Sequence, residues 1–437
     1  MKKSILIMSG LCIACSAVTT ETIAAQKNTL VLEKVVTMTR HGVRPPTNSA
    51  RVQKNSPSPL PAFSTGDGEL TMHGYAAVTL MGGYLRHYLN DRNFITGSCP
   101  DKNKVFIQTS AFQRTRMTAR ALADTLFPGC AVPVHSPEKK NDDTLFEPIV
   151  SGIAPLDTVK ATQNVMASLG GSFDAARQRY RKQLMFMQKV VDPACQLTEC
   201  TFINHKWEIK HDKKNINISL KGPLAEGNEL GETFRLQYAE GMPIKDVAFG
   251  HVRNAKDITP LMQLESIKFH VVGHDPYIAA RGGSQLMSQI LYALEKGSGY
   301  KDPYANKQIQ SSAPDADMIV YVAHDTNLGY LQQLLNVSWN LEGYPKDDTP
   351  PGSTLLFERY RNMETHQTYV GVTFVTQTLD QIRRLEPLND DHPPLRQKLN
   401  LHCSNSPDGW LCPMNEFAAR VNNHLDRTAM VVQHYTD

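Results

Sequence analysis

The sequence predicts an α/β fold in which the middle of the chain forms a mainly helical insertion. In residues 26–150 and 262–437, short β-branched runs alternate with longer stretches of helical spacing, which is typical of layered strands and helices. Between them, residues 151–261 contain a helical run at 158–191 and a polar stretch at 210–219 that is a loop or a hairpin. We therefore expect an α/β domain built from two chain segments and a smaller, mainly helical domain.

The composition is that of an ordinary globular protein and excludes several function classes. The 437 residues include 46 Lys or Arg and 43 Asp or Glu, so the formal net charge is only +3. A charge this close to balance gives no reason to expect a nucleic-acid partner. Apolar residues make up 41% of the chain and charged residues 20%, which allows a large core and excludes disorder.

Residues 1–25 predict a secretory signal peptide. Two lysines precede an uncharged, mainly apolar run at 5–18, and Ala24–Ala25 provides the small residues of a cleavage site. A membrane helix would need about 20 apolar residues, and this run is shorter. Lipid attachment at Cys15 is a second alternative, but no leucine stands three residues before it. We expect cleavage after Ala25, export, and no membrane association.

Export indicates that the cysteines of the mature chain form disulfides. Two of the eight cysteines lie in the leader, and the others are Cys99, Cys130, Cys195, Cys200, Cys403 and Cys412. An even number of cysteines in an oxidising compartment predicts three disulfides. Sequence alone leaves several pairings open. Their grouping along the chain makes the pairing of successive cysteines the simplest.

The first charged cluster follows a strand. The run at 32–38 is apolar and β-branched enough for a buried strand, and Arg40, His41 and Arg44 come directly after it. Pro45–Pro46 prevents the strand from continuing. A histidine between arginines is also compatible with a solvated turn, so this cluster alone does not establish a site.

The second cluster lies between a strand at 105–108 and a helix at 117–127. Arg114 is expected near the helix start, where the helix dipole disfavours a cation. An anion held by Arg114 explains this placement, and a structural ion pair is the alternative. We expect its neighbour Arg116 to be a solvated helix residue.

The third cluster joins a strand at 318–323 to a helix at 328–335. His324 and Asp325 stand at the turn between them, followed by Thr326. These residues could simply cap the helix. However, ligands of open α/β sheets bind beyond the carboxyl ends of strands, where all three clusters fall. Converging arginines and histidines predict a site for a dense anion, with phosphate favoured over carboxylate.

The motifs carry a family resemblance. Residues 40–46 read R-H-G-V-R-P-P, which is similar to the R-H-G-x-R-x-P signature of the histidine acid phosphatases, and 324–325 match their later H-D pair. Further segments at 70–71, 113–115, 237–243 and 350–359 extend the resemblance over nearly the whole mature chain. Within the family the chain resembles bacterial periplasmic phytases. The resemblance implies a three-layer α/β domain with a smaller helical domain, a periplasmic location and a monomer.

The resemblance also implies a role for each site residue. His41 is the nucleophile that becomes a phosphohistidine, and Asp325 protonates the leaving oxygen. The implied phosphate and substrate ligands are Arg40, Arg44, Arg114, His324, Thr47 and Glu232. No metal or other cofactor is implied, because cationic side chains stabilise the transferring phosphoryl group. A carboxylic acid donor with an ordinary pKa of about 3.9 predicts an acidic optimum.

Other classes have weaker support in the sequence. A metal-dependent hydrolase would need a ligand cluster. His270 and His274 are four apart but lack a glutamate motif, and we expect them at a strand end and in a loop. A serine hydrolase would need a G-x-S-x-G elbow, which the chain lacks. A periplasmic protein that only binds phosphate compounds would not need His41 beside His324 and Asp325.

Phytate, myo-inositol hexakisphosphate, is the substrate that the resemblance favours. Asn48 stands where the phytases usually have a lysine, and an arginine is replaced near His274. Losing two cationic contacts weakens the prediction for phytate. Gln113 beside Arg114 is shared with periplasmic glucose-1-phosphatases. A glucose-1-phosphatase or a broad-specificity acid phosphatase is therefore the alternative.

Overall fold

The computed structural model describes residues 30–97, 99–196 and 199–435. The predicted signal peptide at 1–25 lies outside the described residues. Within them, a central sheet has seven strands in the order β2-β5-β1-β6-β7-β8, with β9 paired to β7. The strands are β1 Leu30–Arg40, β2 Val105–Thr109, β3 Glu208–His211, β4 Ile218–Lys221, β5 Met318–Ala323, β6 Thr354–Asn362, β7 Thr368–Thr376, β8 Leu395–Lys398 and β9 Cys412–Pro413.

The helices are numbered in chain order. They are α1 Ser49–Gln53, α2 Met72–Asn90, α3 Gln113–Leu126, α4 Pro148–Ser151, α5 Thr158–Ser168, α6 Phe173–Arg179, α7 Arg181–Val191, α8 Thr201–Asn204, α9 Pro223–Ala239, α10 Gln263–Lys268, α11 Pro276–Glu295, α12 Lys307–Ser312, α13 Asp325–Leu335, α14 Leu379–Arg384 and α15 Met414–His424. Short 3-10 segments lie at Lys140–Asp142, Ile244–Gly250, Ala255–Asp257, Thr259–Met262 and Arg427–Ala429, and a π-helical segment at Phe269–Gly273.

Helices cover both faces of the sheet, which makes the α/β part three-layered as predicted. Val35 of β1 and Val320 of β5 belong to a buried cluster with α2 and α3. Their neighbours Val36 and Ile319 face the other way, into a cluster that contains residues of α11 and α13. Every residue of β5 is buried. A strand covered on both faces has no polar alternation, which explains the unbroken apolar run in the sequence.

The parallel strands β2, β5 and β1 end together at one edge of the sheet. In the register of β1 with β5, Arg40 is opposite Ala323, and in that of β2 with β5, Thr109 is opposite Val322. The residues that follow each strand therefore emerge side by side. This register brings the three sequence clusters to the same edge.

The middle of the chain consists of α5 to α9 and the β3-β4 hairpin. The hairpin confirms one of the two readings of the polar stretch at 210–219. The prediction of one helical run at 158–191 was wrong in detail, because the chain breaks into α5, α6 and α7. Gly170 and Gly171 both take positive φ values after α5, which ends that helix. The limits of the domain at 151–261 stay a prediction.

Two further predictions can be compared with the structure. The disulfides are Cys99–Cys130, Cys195–Cys200 and Cys403–Cys412, the simplest of the open pairings.

The prediction that His270 and His274 lie at a strand end and in a loop was wrong. His270 lies inside the π-helical segment and His274 follows it. The pair Val271-Val272 gives this segment its strand-like appearance. Among the described helices, none is long and apolar enough to cross a membrane.

Candidate active site

The loop after β1 is held by backbone contacts from three sides. His41 N–H donates to the Ala323 carbonyl at 3.0 Å, and the Gly352 N–H donates to the His41 carbonyl at 3.1 Å. The first turn of α2 packs against the same loop, where a Cβ on Gly74 would lie 2.4 Å from the Val43 carbonyl oxygen. Glycine is therefore required for this approach. These contacts fix the direction in which the His41 ring points.

His41 presents one ring nitrogen to the cleft. The ring is buried, and Nδ1 lies 2.9 Å from the Gly42 carbonyl oxygen, which can only accept a hydrogen bond. Nδ1 must therefore carry the proton, and Nε2 keeps its lone pair. Burial lowers the pKa of His41 well below its ordinary value, and the charges of Arg44 and Arg114 lower it further. The arrangement gives a neutral imidazole whose Nε2 is unprotonated and accepts a hydrogen bond from Arg44 Nε.

Arg44 and Arg114 surround that nitrogen with positive charge. Arg44 Nε lies 3.4 Å from His41 Nε2, and its Nη1 donates to the Pro45 carbonyl at 2.8 Å. The Arg114 guanidinium stacks over the Phe112 ring at 4.2 Å, and its Nη1 donates to the Gly68 carbonyl at 3.3 Å. Burial, followed by the charge of Arg44, lowers the pKa of Arg114 to about 10. Two cations that repel each other form a site for an anion.

His324 lies on the far side of the same space. Its ring centroid is 5.7 Å from that of His41, and its Nε2 lies 3.1 Å from the Ser110 hydroxyl. Burial lowers the pKa of His324 well below its ordinary value, and Arg114 adds to the effect. Ser110 follows β2 and His324 follows β5, so this contact joins the second and third sequence clusters.

Arg40 is fully buried beneath the cleft and already has partners. Its Nη1 donates to the Thr349 carbonyl and its Nη2 to Glu232 Oε1. The same Nη2 lies 3.4 Å from Asp325 Oδ2. Arg40 therefore organises two carboxylates at the base of the site in addition to supplying charge.

Glu232 belongs to a buried charge cluster that the sequence did not reveal. Arg235 Nε donates to Glu232 Oε2 at 2.9 Å, and Arg235 also binds Asp348 at 2.7 Å and Glu265 at 3.1 Å. Burial acts to raise the pKa of Glu232, but Arg235 and Arg40 outweigh it and lower the pKa to about 2. Burial raises the pKa of Glu265 well above its ordinary value, against the opposing charge of Arg235.

Asp325 stands at the start of α13, with its side chain 24% exposed toward the cleft. Oδ1 accepts a hydrogen bond from the Thr326 N–H at 2.7 Å. Burial acts to raise the pKa of Asp325, but the charges of Arg40 and Arg44 outweigh it and hold the pKa below its ordinary range. The arginines therefore favour the ionised form of this carboxylate.

These residues line a cleft of about 360 Å³, within the range of small-molecule sites. His41, Arg44, Arg114, His324 and Asp325 all contribute to its wall. A second lobe of about 170 Å³ adjoins it and shares Arg44, Asp325 and the exposed Thr47. Arg40 lies below the cleft, and Glu232 faces only the second lobe. Arg116 is exposed, and His274 lines a separate small cavity.

Sequence reasoning missed several residues of the cleft wall. They are Phe112, Lys140, Glu147, Asn217 and Tyr330 in the main lobe and Lys268 in the second lobe. Phe112 stands within the second motif and could have been included on that ground. The others come from segments without a motif and reach the cleft only through the fold.

Comparisons with known proteins show the family to which the chain belongs. The model of the histidine phosphatase superfamily (branch 2) matches residues 31–375. The chain is 30% identical to Phytase AppA of Escherichia coli over 90% of this chain and 92% of that protein. It is 27% identical to the glucose-1-phosphatase of Salmonella typhimurium over 95% of this chain and 98% of that protein.

A solved structure shares the fold. The phytase of Hafnia alvei in complex with myo-inositol hexakis sulphate has a TM-score of 0.81 and 30% sequence identity, with 92% of this chain and 99% of that chain covered. The motif, the site geometry and the family match all lead to one assignment. The chain belongs to the histidine phosphatase superfamily, branch 2, and is a histidine acid phosphatase, an enzyme that hydrolyses phosphomonoesters.

Proposed function

We propose that this enzyme hydrolyses phosphomonoesters through a phosphohistidine formed on His41. The observation that carries the proposal is the Nε2 atom of His41, which is unprotonated and lies 3.4 Å from Arg44 Nε. A phosphoryl group beside Arg44 and Arg114 would lie within reach of this nitrogen. Its negative oxygens would be stabilised where charge develops during transfer.

The proposed reaction has two steps. First, His41 Nε2 forms a bond to phosphorus as the ester P–O bond breaks, and the leaving oxygen takes a proton from Asp325. Then a water attacks phosphorus and gives its proton to the Asp325 carboxylate, and the N–P bond breaks to release phosphate. Asp325 must be protonated for the first step. The charge of the bound phosphate raises its pKa against the effect of Arg40 and Arg44.

Phytate is the substrate we propose first. Support comes from the relatives named as phytases and from the inositol hexakis sulphate in the Hafnia alvei structure. Lys140 and Lys268 also line the two lobes, where they could contact further phosphates. Glucose 1-phosphate is the second candidate. It is supported by the glucose-1-phosphatase relatives and by Asn48, a neutral residue in the second lobe.

Kinetics with both substrates test this choice. We expect kcat/KM at acidic pH to favour phytate over glucose 1-phosphate. A ratio that favours glucose 1-phosphate by more than about tenfold, a difference of about 1.4 kcal/mol in transition-state binding, would reverse the order. Failure to release inorganic phosphate from either substrate would contradict the proposed function as a whole.

We further propose that the enzyme works in the periplasm as a monomer, after removal of residues 1–25. The three disulfides support an oxidising compartment. We also propose the division into an α/β domain and a domain at 151–261. N-terminal sequencing of the exported protein tests the cleavage site, and light scattering tests the oligomeric state.

A further inference from the structure

Glu147 places a carboxylate beside the predicted phosphate site. Its Oε1 lies 4.0 Å from His324 Nε2 and 3.6 Å from Lys140 Nζ. The residue precedes α4, and its backbone is held at both ends. The Glu147 N–H donates to the Asp143 carbonyl at 3.1 Å, and the Ser151 N–H donates to the Glu147 carbonyl at 2.9 Å. Glu147 is therefore a fixed part of the cleft wall.

A carboxylate in this position changes which substrates the cleft can hold. Glu147 is paired with Lys140, the cation of the main lobe that does not surround His41. A second phosphate entering this lobe would have to compete with Glu147 for Lys140. It would also approach a like charge, which opposes its binding. Glu147 also lies near the scissile phosphate, on the side of His324. That effect is common to a monophosphate and to phytate, so it cancels in the ratio of their kcat/KM values.

In the second lobe, too, cationic side chains are paired with carboxylates. Both Nε and Nη2 of Arg51 bind Glu229, at 2.9 and 2.8 Å. Glu232 also lines this lobe and is bound by Arg40 and Arg235. Of the three cations among the described residues that line the cleft away from His41, Lys140 and Arg51 pair with carboxylates, and Lys268 is the third. The cleft presents strong positive charge for one phosphate and partly neutralised charge for the rest of the substrate.

We propose that Glu147 is a specificity-determining residue that shifts the balance between the two candidate substrates toward esters with a single phosphate. The proposal rests on the proposed function and names a residue that sets the ratio between its two substrates. It does not exclude turnover of phytate. It states that Glu147 lowers kcat/KM for phytate relative to a monophosphate such as glucose 1-phosphate.

The selection depends on the charge of Glu147 and therefore on pH. The titratable and charged groups that face it are Lys140, Arg114, His324, Tyr330 and the buried Asp143. Burial raises the pKa of Glu147, and Lys140 and Arg114 act in the opposite direction. The carboxylate ionises as pH rises through this raised value. Discrimination against phytate should therefore be strongest at the upper end of the pH range in which the enzyme is active.

The test compares kcat/KM for phytate and for glucose 1-phosphate in wild type and in Glu147→Gln, at several pH values. Removing the charge should raise the phytate to glucose 1-phosphate ratio by about tenfold where Glu147 is ionised, and less at lower pH. Glu147→Asp keeps the charge and should retain a ratio close to that of wild type. Glu386→Gln is the matched control outside the cleft, where Glu386 pairs with Arg384 at 2.6 Å.

A double variant tests the part played by the freed lysine. If Lys140 binds the second phosphate when residue 147 carries no charge, adding Lys140→Met to Glu147→Gln should reverse part of the increase in the phytate to glucose 1-phosphate ratio. An unchanged ratio in Glu147→Gln at every pH, in an enzyme that turns over both substrates, would overturn this inference alone. A wild type that releases no phosphate from either substrate would overturn the proposed function as well.

Discussion

Asp325 and Glu232 approach the same nitrogen of one arginine. Asp325 Oδ2 lies 3.4 Å from Arg40 Nη2, and that nitrogen also donates to Glu232 Oε1. Because the two carboxylates share one donor, a change in the charge of Glu232 alters how strongly Arg40 holds the Asp325 anion. The acid of the proposed reaction is therefore coupled to a residue of α9.

Glu232→Gln should make Asp325 a stronger acid. Removing the Glu232 charge leaves Arg40 less neutralised, and it also removes a negative charge that repels the Asp325 anion. Both effects lower the pKa of Asp325, so the loss of kcat with rising pH should begin at a lower pH, by up to about one unit. The measurement is the pH profile of kcat for glucose 1-phosphate, whose leaving oxygen needs the proton of Asp325.

Glu265→Gln is the matched control for this change. Glu265 belongs to the same buried cluster but binds Arg235 rather than Arg40, and burial raises its pKa well above the ordinary value. Its pH profile should coincide with that of wild type. A shift of Glu232→Gln toward higher pH, or equal shifts in both variants, would contradict the coupling through Arg40.

Asp325→Asn should affect poor leaving groups most. An amide cannot donate the proton that an alcohol oxygen needs on departure, whereas a nitrophenolate leaves without it. We expect kcat to fall by about a hundredfold or more for glucose 1-phosphate and by much less for p-nitrophenyl phosphate. Equal losses for the two substrates would remove Asp325 from the role of acid.

The sequence predicted the part of the site that depends on strand ends. The sequence shows that Arg40, Arg114 and His324 each lie at or shortly after the end of a strand. The parallel register of these strands places the three residues at one edge of the sheet. Such local signals are reliable because a buried strand has a distinct composition. Glu147 gave no signal, because its position beside His324 depends on how a loop crosses the sheet edge.

The helical region shows a second limit of prediction. The apolar spacing at 158–191 is compatible with one helix, and only the turns at Gly170–Gly171 and Tyr180 divide it into three. Arg235 would ordinarily be assigned to the solvated face of α9. It is buried because Glu265 and Asp348, from two other segments, join Glu232 of the same helix around its guanidinium. The i,i+3 pair with Glu232 is visible within α9, but the other two partners are not.

Stability should fall as pH rises above the ordinary range of carboxyl groups. Glu295 is buried, and burial raises its pKa to about 8. Between its unfolded value and about 8, the folded protein binds a proton that the unfolded chain releases, so stability present at low pH is lost as pH rises. The free energy of unfolding should decrease by roughly a few kcal/mol from this group.

Glu295→Gln tests that assignment. The amide keeps the shape and remains neutral, so unfolding by urea at a series of pH values should show a shallower decline than in wild type. The exposed Glu342→Gln provides a surface control and should leave the slope unchanged. If Glu295→Gln unfolds with the same pH dependence as wild type, Glu295 is not the titrating group.

The disulfide between Cys99 and Cys130 should stabilise the α/β part. It closes a loop with a sequence separation of 31 that spans β2 and α3. Replacing both cysteines by serine should lower the free energy of unfolding by roughly 2 to 4 kcal/mol, because the unfolded chain is less restricted. The same replacement at Cys195 and Cys200, with a separation of 5, should cost less. Equal losses would contradict the dependence on loop length.

The phosphohistidine on His41 is the central claim, and trapping it is the most direct test. Wild type is mixed with a ³²P-labelled monoester, quenched at mild pH within one turnover and mapped by mass spectrometry. The account predicts a phosphoryl group on the peptide that contains His41, with none in His41→Ala. Turnover at a wild-type rate in His41→Ala, or a phosphoryl group on another residue, would contradict it.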